Sequence, residues 1–184
     1  MRKSRKEAAQ TRKRIVTAAS EEFRKNGIVA TGLNDLMSAA GLTHGGFYKH
    51  FESKDQLVAE ACAEAVEAIL EMLAAAASKK GGAAAAYLST DHRDRPATGC
   101  PLSAIGSELA RSDEKTRAAA TAGFLKLVEI MAGQFGKIRA ATARRRALVA
   151  VATMIGALTM SRAVTDPELS AKILKEAERS LAVG

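Results

Sequence analysis

The stretch opened by Ser53-Lys-Asp-Gln56 constrains this chain more than any other. A serine followed three residues later by glutamine is the sequence form of a capping box. The hydroxyl serves a free N–H in the first turn of a helix, and the Gln amide reaches back. Behind it Leu57, Val58, Ala61, Cys62, Ala65, Val66, Ile69, Leu70 and Leu73 recur at three- to four-residue spacing, which a helix gathers on one face and a strand does not. The pattern predicts a helix over about 54–78 whose broad apolar stripe must be covered by other elements. Those elements are helical too. Trp is absent, aromatics make up 4% and Pro occurs three times in 184 residues, whereas strands favour aromatic and β-branched residues. The expected fold class is all-α.

The remaining punctuation divides the chain into roughly nine helices. The first runs over 7–26, with Ile15, Ala18, Ala19 and Phe23 inward and Gly27 as its stop. Thr31 is expected to cap a second to Ala40, and Thr43 a third over about 44–51 that buries Phe47 and Phe51. After the long helix come a short one over 83–89, a polar loop from Ser89 to Gly99, and a helix from Pro101 to about Arg111. Helices over about 113–138, 140–163 and 166–182 complete the chain. Cys62 and Cys100 are too few for a disulfide framework and have no metal-ligand spacing. No cofactor or metal is expected. No run of about 18 apolar residues reads as a membrane span, and the basic start lacks the apolar stretch of a signal peptide. A cytoplasmic protein without a membrane partner is the expectation.

Charge is unevenly spread. Residues 1–54 hold 11 Lys/Arg against 5 Asp/Glu, a net of +6 out of the total of +8. An anionic partner for the N-terminal part follows. Within it, two short helices joined across Ala39-Ala-Gly41-Leu-Thr43 match a helix-turn-helix, whose second helix enters the major groove of duplex DNA. The exposed residues there are expected to be Thr43, His44, Gly45, Gly46, Tyr48, Lys49 and His50. Gly45 and Gly46 are poor helix formers; they either let the backbone approach DNA closely or merely mark a turn.

At these residues the chain resembles the TetR family of transcriptional regulators, usually repressors. The likeness runs in unbroken order through Thr11-Arg-Lys-Arg-Ile15, Ala18-Ala19, Phe23, Gly27, Thr31, Asp35-Leu36, Ala40-Gly41-Leu-Thr43, Gly46-Phe-Tyr48, His50-Phe51, Ser53-Lys54 and Leu57. It implies a DNA-binding domain over 1–53 with a basic arm, and an effector-binding and dimerisation domain over 54–184. Thr31, Thr43, Tyr48 and Lys54 then look like groups that position phosphates. His44, Gly45 and Lys49 look like base-edge contacts, Lys49 suiting guanine. His50 either touches phosphate or packs as a cap. Arg2, Lys3 and Arg5 would lie along a phosphate backbone or in a minor groove.

The resemblance further implies a homodimer built from the last two helices. Leu148, Ala152, Ile155 and Thr159, with Leu169, Ile173, Leu174, Ala177 and Leu181, are the expected face; the same stripes would equally serve the core of one chain. It also implies a small-molecule site among the middle helices, for which Leu70, Leu73, Cys100, Leu102, Ile105, Leu109, Phe124, Leu127, Met131 and Met154 are the expected lining. Cys100 precedes Pro101 at a helix N-terminus, a setting that lowers a thiol pKa. Thr98-Gly-Cys-Pro-Leu-Ser103, followed by Glu108-Leu109, resembles a Gly-Cys signature in one branch of the family, some members of which respond to electrophiles. Cys100 is therefore either a sensing thiol or a buried structural one. The function expected is a repressor that binds palindromic operator DNA and is released by a small-molecule or electrophile effector. An activator of the same fold is the nearest rival. An enzyme, or a basic helical protein with no DNA partner, lacks any local motif.

Overall fold

The computed structural model describes residues 5–79, 81–136 and 138–182. Among them the regular elements are α1 (Arg5–Asn26), α2 (Leu33–Ala39), a 3-10 segment (His44–Lys49), α3 (Lys54–Ala76), α4 (Gly82–Tyr87), α5 (Thr90–Asp94), a 3-10 turn (Pro96–Thr98), α6 (Pro101–Leu109), α7 (Glu114–Gln134), α8 (Ala140–Ala163) and α9 (Pro167–Ala182). The all-α expectation holds.

The long helix α3 is the spine, and its stripe is shared between two cores. Its first half supplies Leu57, Val58, Ala61 and Cys62 to a cluster with Ile15, Ala19 and Phe23 of α1, Leu36 and Met37 of α2, Phe47, Phe51, and Ile105 and Leu109 of α6. Its second half supplies Ile69 and Leu73 to a cluster with Tyr87, Leu127, Val128, Met131, Ala147, Val151, Met154, Leu158 and Leu174. Between them, Gly123 of α7 lies flush on α3: a Cβ there would sit 2.6 Å from Val66 Cγ2. Helices α3, α7, α8 and α9 pack in that sequence, α1 against α3 at the other end.

Local chemistry explains most boundaries. Ser53 Oγ accepts the Gln56 N–H at 3.1 Å, while Gln56 Oε1 accepts the N–H of Glu52 at 2.8 Å, one residue earlier than in the simple box. Pro101 opens α6. Three expectations need correction. The cap of α2 is Gly32, whose N–H is taken by Asp35, not Thr31. The segment after Thr43 is 3-10 and stops at Lys49. The stretch 89–99 is not a plain loop, because Ser89 Oγ accepts the His92 N–H at 3.2 Å and starts α5. Asp113 caps α7, its side chain accepting the Thr116 N–H at 2.9 Å. Helix α6 is also broken at Ile105 (φ −129°, ψ 19°).

Candidate nucleic-acid interface

The turn before the 3-10 segment is made by Gly41 at φ +65°, with Leu42 N–H donating to the Met37 carbonyl at 2.8 Å. Left-handed backbone at a helix C-terminus is what glycine supplies without steric cost. Phe47 and Phe51 then anchor the segment from below. They are 0% and 2% exposed, stacked at 5.6 Å, and Arg12 covers the Phe51 ring at 4.4 Å. Arg12 is itself held in a two-pronged pair with Glu60 of α3, which raises its pKa and ties α1 to α3.

On that pedestal Thr43, His44, Gly45, Tyr48 and Lys49 stand in solvent, Tyr48 at 67% exposure and edge-on to Phe47. Neither Gly45 nor Gly46 has a positive φ, and a Cβ on Gly45 would meet nothing within 4 Å. The fold therefore does not require glycine at 45. Arg5 begins α1 in solvent; Arg2 and Lys3 lie outside the described residues.

Two expected phosphate contacts, Thr31 and Lys54, have their side chains engaged within the protein. Thr31 is 2% exposed, and its hydroxyl donates to the Gly27 carbonyl at 2.5 Å, so it closes the α1–α2 turn and does not face a partner. Lys54 Nζ donates to the Ile28 carbonyl at 2.5 Å and lies 5.9 Å from the Phe23 ring. His50 is half-buried, and its carbonyl accepts from Arg12 Nε at 3.3 Å. Glu108 of α6, part of the Gly-Cys signature, accepts the Val29 N–H at 2.8 Å.

Deeper in the molecule α5, α6 and α8 meet at His92. Its Nε2 accepts the Cys100 N–H at 2.9 Å, so the ring proton sits on Nδ1 and is donated to the Tyr87 carbonyl at 2.7 Å. Burial pushes His92 down to about 4. Arg162 of α8 donates to the carbonyls of His92 and Arg93 and to Ser103 Oγ, and Arg24 of α1 donates to the Gly99 carbonyl at 3.1 Å. Cys100 is fully buried here and its thiol pKa is raised, burial outweighing the Tyr87 hydroxyl and the α6 amides. The activated-thiolate expectation is thus corrected: low polarity beats the helix dipole. Cys62 is likewise pushed up to about 11 by burial.

Residues 15–61 match the family model for bacterial regulatory proteins of the tetR family, and residues 62–173 match the C-terminal domain of LmrA/YxaF-like transcriptional regulators. The chain belongs to the TetR family. The transcriptional regulator TtgR of Pseudomonas putida is 38% identical over 73 residues, covering 40% of this chain and 31% of that one. A probable acrEF/envCD operon repressor of Escherichia coli is 39% identical over 59 residues, 32% and 27% of the two chains. The aligned segments thus span less than a third of these curated relatives. A TetR regulator from Chloroflexus aurantiacus superposes over 96% of this chain and 94% of its own with a TM-score of 0.78 at 26% identity. The helix-turn-helix falls inside the residues that match the tetR-family model.

Against that TetR architecture, the residues expected to line an effector site divide in two. Ile105 and Leu109 are buried in the N-terminal core, while Leu73, Cys100, Leu127, Met131 and Met154 are buried in the second, with Leu70 and Phe124 packed against it and Leu102 against both. Met131 also borders a cleft of about 310 Å³ with Gln134, Phe135 and Leu181. The expected dimer face divides as well. Leu148, Ala152, Thr159 and Leu169 are exposed, and Ile155, Ile173, Ala177 and Leu181 are partly so; Leu174 is 2% exposed and belongs to the core of its own chain.

Proposed function

We propose that this regulator is a homodimeric repressor that sets its two Thr43–Lys49 segments into successive major grooves of a palindromic operator and is released by a small-molecule effector. The observation that carries the reading is the row Thr43, His44, Gly45, Tyr48 and Lys49 in solvent above a buried Phe47–Phe51 pedestal. Lys49 offers a donor for guanine, and the Thr43 and Tyr48 hydroxyls suit phosphates. Arg5, with Arg2 and Lys3 before it, supplies sequence-independent attraction.

Dimerisation is supported by α8. Among the described residues it is the helix long and apolar enough to cross a membrane by length and composition, yet only 33% of its most apolar window is buried. Val149 and Met160 are 63% and 52% exposed, and Ala152 and Gly156 between them permit close approach of a second helix. An apolar stripe of this kind marks an interface.

The effector would act by preferring a conformation in which α3 has pivoted and the two reading segments no longer match the groove spacing. Its site would open among the second-core residues around Leu70, Phe124 and Met154, the apolar lining fitting a hydrophobic molecule. No catalytic role is proposed. The test is selection of duplexes from random-sequence DNA on the purified chain, followed by titration. A palindromic consensus bound by two chains, with affinity falling steeply with salt, supports the reading; no enrichment overturns it.

A further inference from the structure

The peptide group joining Ile28 to Val29, in the turn between α1 and α2, is gripped at both ends, by α3 and by α6. Its carbonyl accepts from Lys54 Nζ at 2.5 Å, and its N–H donates to Glu108 Oε2 at 2.8 Å. Lys54 is the first residue of α3 and Glu108 lies in the last turn of α6. An ammonium at the carbonyl end and a carboxylate at the N–H end polarise one peptide in the same sense, so each bond strengthens the other.

The surroundings are built for this grip. Gly27 has φ +90°, and a Cβ there would lie 2.8 Å from Glu108 Oε1, so glycine provides both the turn and the space for the carboxylate. The Val29 side chain is 85% exposed, so no apolar contact fixes this residue. Three positions later Gly32 caps α2, and α2 carries the reading segment through Leu36, Met37 and Phe47. The break at Ile105 separates the last turn of α6, which holds Glu108, from its first turn, where Ser103 is tied to Arg162 of α8.

We infer that Lys54 and Glu108 are positioning residues forming a two-sided clamp on the Ile28–Val29 peptide, which sets the angle of the DNA-reading segment against the sensor helices. The inference rests on the DNA-binding reading above and assigns Lys54 to a joint within the protein instead of a DNA phosphate. Displacing either helix end frees the peptide, and the remaining contact no longer defines its place. The clamp therefore reports on α3 and α6 together.

A double-mutant cycle decides. Lys54→Met, Glu108→Leu and the double variant are titrated with a duplex selected on the wild-type chain, over a salt series; Glu108→Gln, which keeps shape and one acceptor, is the milder form. Each single loss of a charge-assisted bond should weaken binding about tenfold. The double variant should lie within about twofold of the singles, and the salt slope should stay at the wild-type value. In parallel, hydrogen exchange at the Val29 amide should be slow in the wild type and fast in Glu108→Leu, with Lys54→Met also accelerated. A shallower salt slope for Lys54→Met with wild-type affinity in Glu108→Leu overturns the clamp, because Lys54 then neutralises a phosphate. Additive losses, or a Val29 amide unchanged by both substitutions, overturn it too. If no duplex is selected at all, the DNA reading fails, and the Val29 exchange rates still decide the clamp.

Discussion

His92 makes stability depend on pH in a window where few other groups act. The ring is 8% exposed, its Nε2 accepts the Cys100 N–H at 2.9 Å, and a proton added there would set two donors face to face. Burial is the leading cause of its low pKa of about 4, against an ordinary 6.5; Arg162 adds to the depression, while the Tyr87 carbonyl and Asp91 oppose it. Below pH 6.5 the unfolded chain binds a proton at this position that the folded chain does not, so folding stability falls with pH until about 4. The full difference is about 3 kcal/mol, and about 2 kcal/mol of it is lost by pH 5. The carboxylates of Asp94 and Asp113 are held below 3.8 by Arg93 and Thr116, so their contributions disappear at lower pH and leave this window clear. Urea unfolding at pH 7.5 and pH 5, at one protein concentration, should show the loss in the wild type and a much flatter response in His92→Gln. Equal pH dependence in both proteins would refute the assignment.

Three further outcomes follow from packing. Gly123→Ala forces a methyl to within 2.6 Å of Val66 where α7 crosses α3, and should cost about 1–3 kcal/mol in urea unfolding; unchanged stability would mean the crossing yields freely. Val149→Arg, on the exposed stripe of α8, should convert a sedimenting dimer to monomer while leaving the helical signal intact; an unaltered dimer would place the interface elsewhere. Cys62 and Cys100 are both buried with raised pKa values, so a thiol reagent at pH 7 should react slowly with the native chain and with two equivalents after unfolding. Fast reaction of one native thiol would restore a sensing role for it.

What the sequence makes legible rests on contacts short in sequence. The Ser53–Gln56 cap, the stop at Gly27, Pro101 at the head of α6 and the Phe47–Phe51 pair all act within one or two helical turns, and all four are in place. Helix α5 was missed because its cap, Ser89, opens a stretch so polar that no periodicity marks it. The partners of Thr31 and Lys54 are illegible for a different reason. Both residue types suit phosphate, but their side chains are taken by backbone carbonyls of the α1–α2 turn, the Lys54 partner 26 residues away. Glu108 stands in the Gly-Cys signature, yet its partner Val29 lies 79 residues back, a pairing that no local spacing shows. Cys100 sits at a helix N-terminus as its neighbours in sequence indicated, yet its pKa is set by burial that only tertiary packing creates.

The central claim is that Thr43–Lys49 reads DNA from a folded dimer, and one titration tests it most directly. A duplex selected on the wild-type chain is titrated with wild-type, Lys49→Ala and Tyr48→Phe proteins over a series of salt concentrations. The account predicts two chains per duplex and a steep salt dependence. Lys49→Ala should weaken binding by about 1–3 kcal/mol and relax selectivity at one base pair of each half-site, while Tyr48→Phe weakens all sequences alike. Affinity and selectivity unchanged in both variants would contradict it, since these exposed residues of the segment would then make no contact with the DNA.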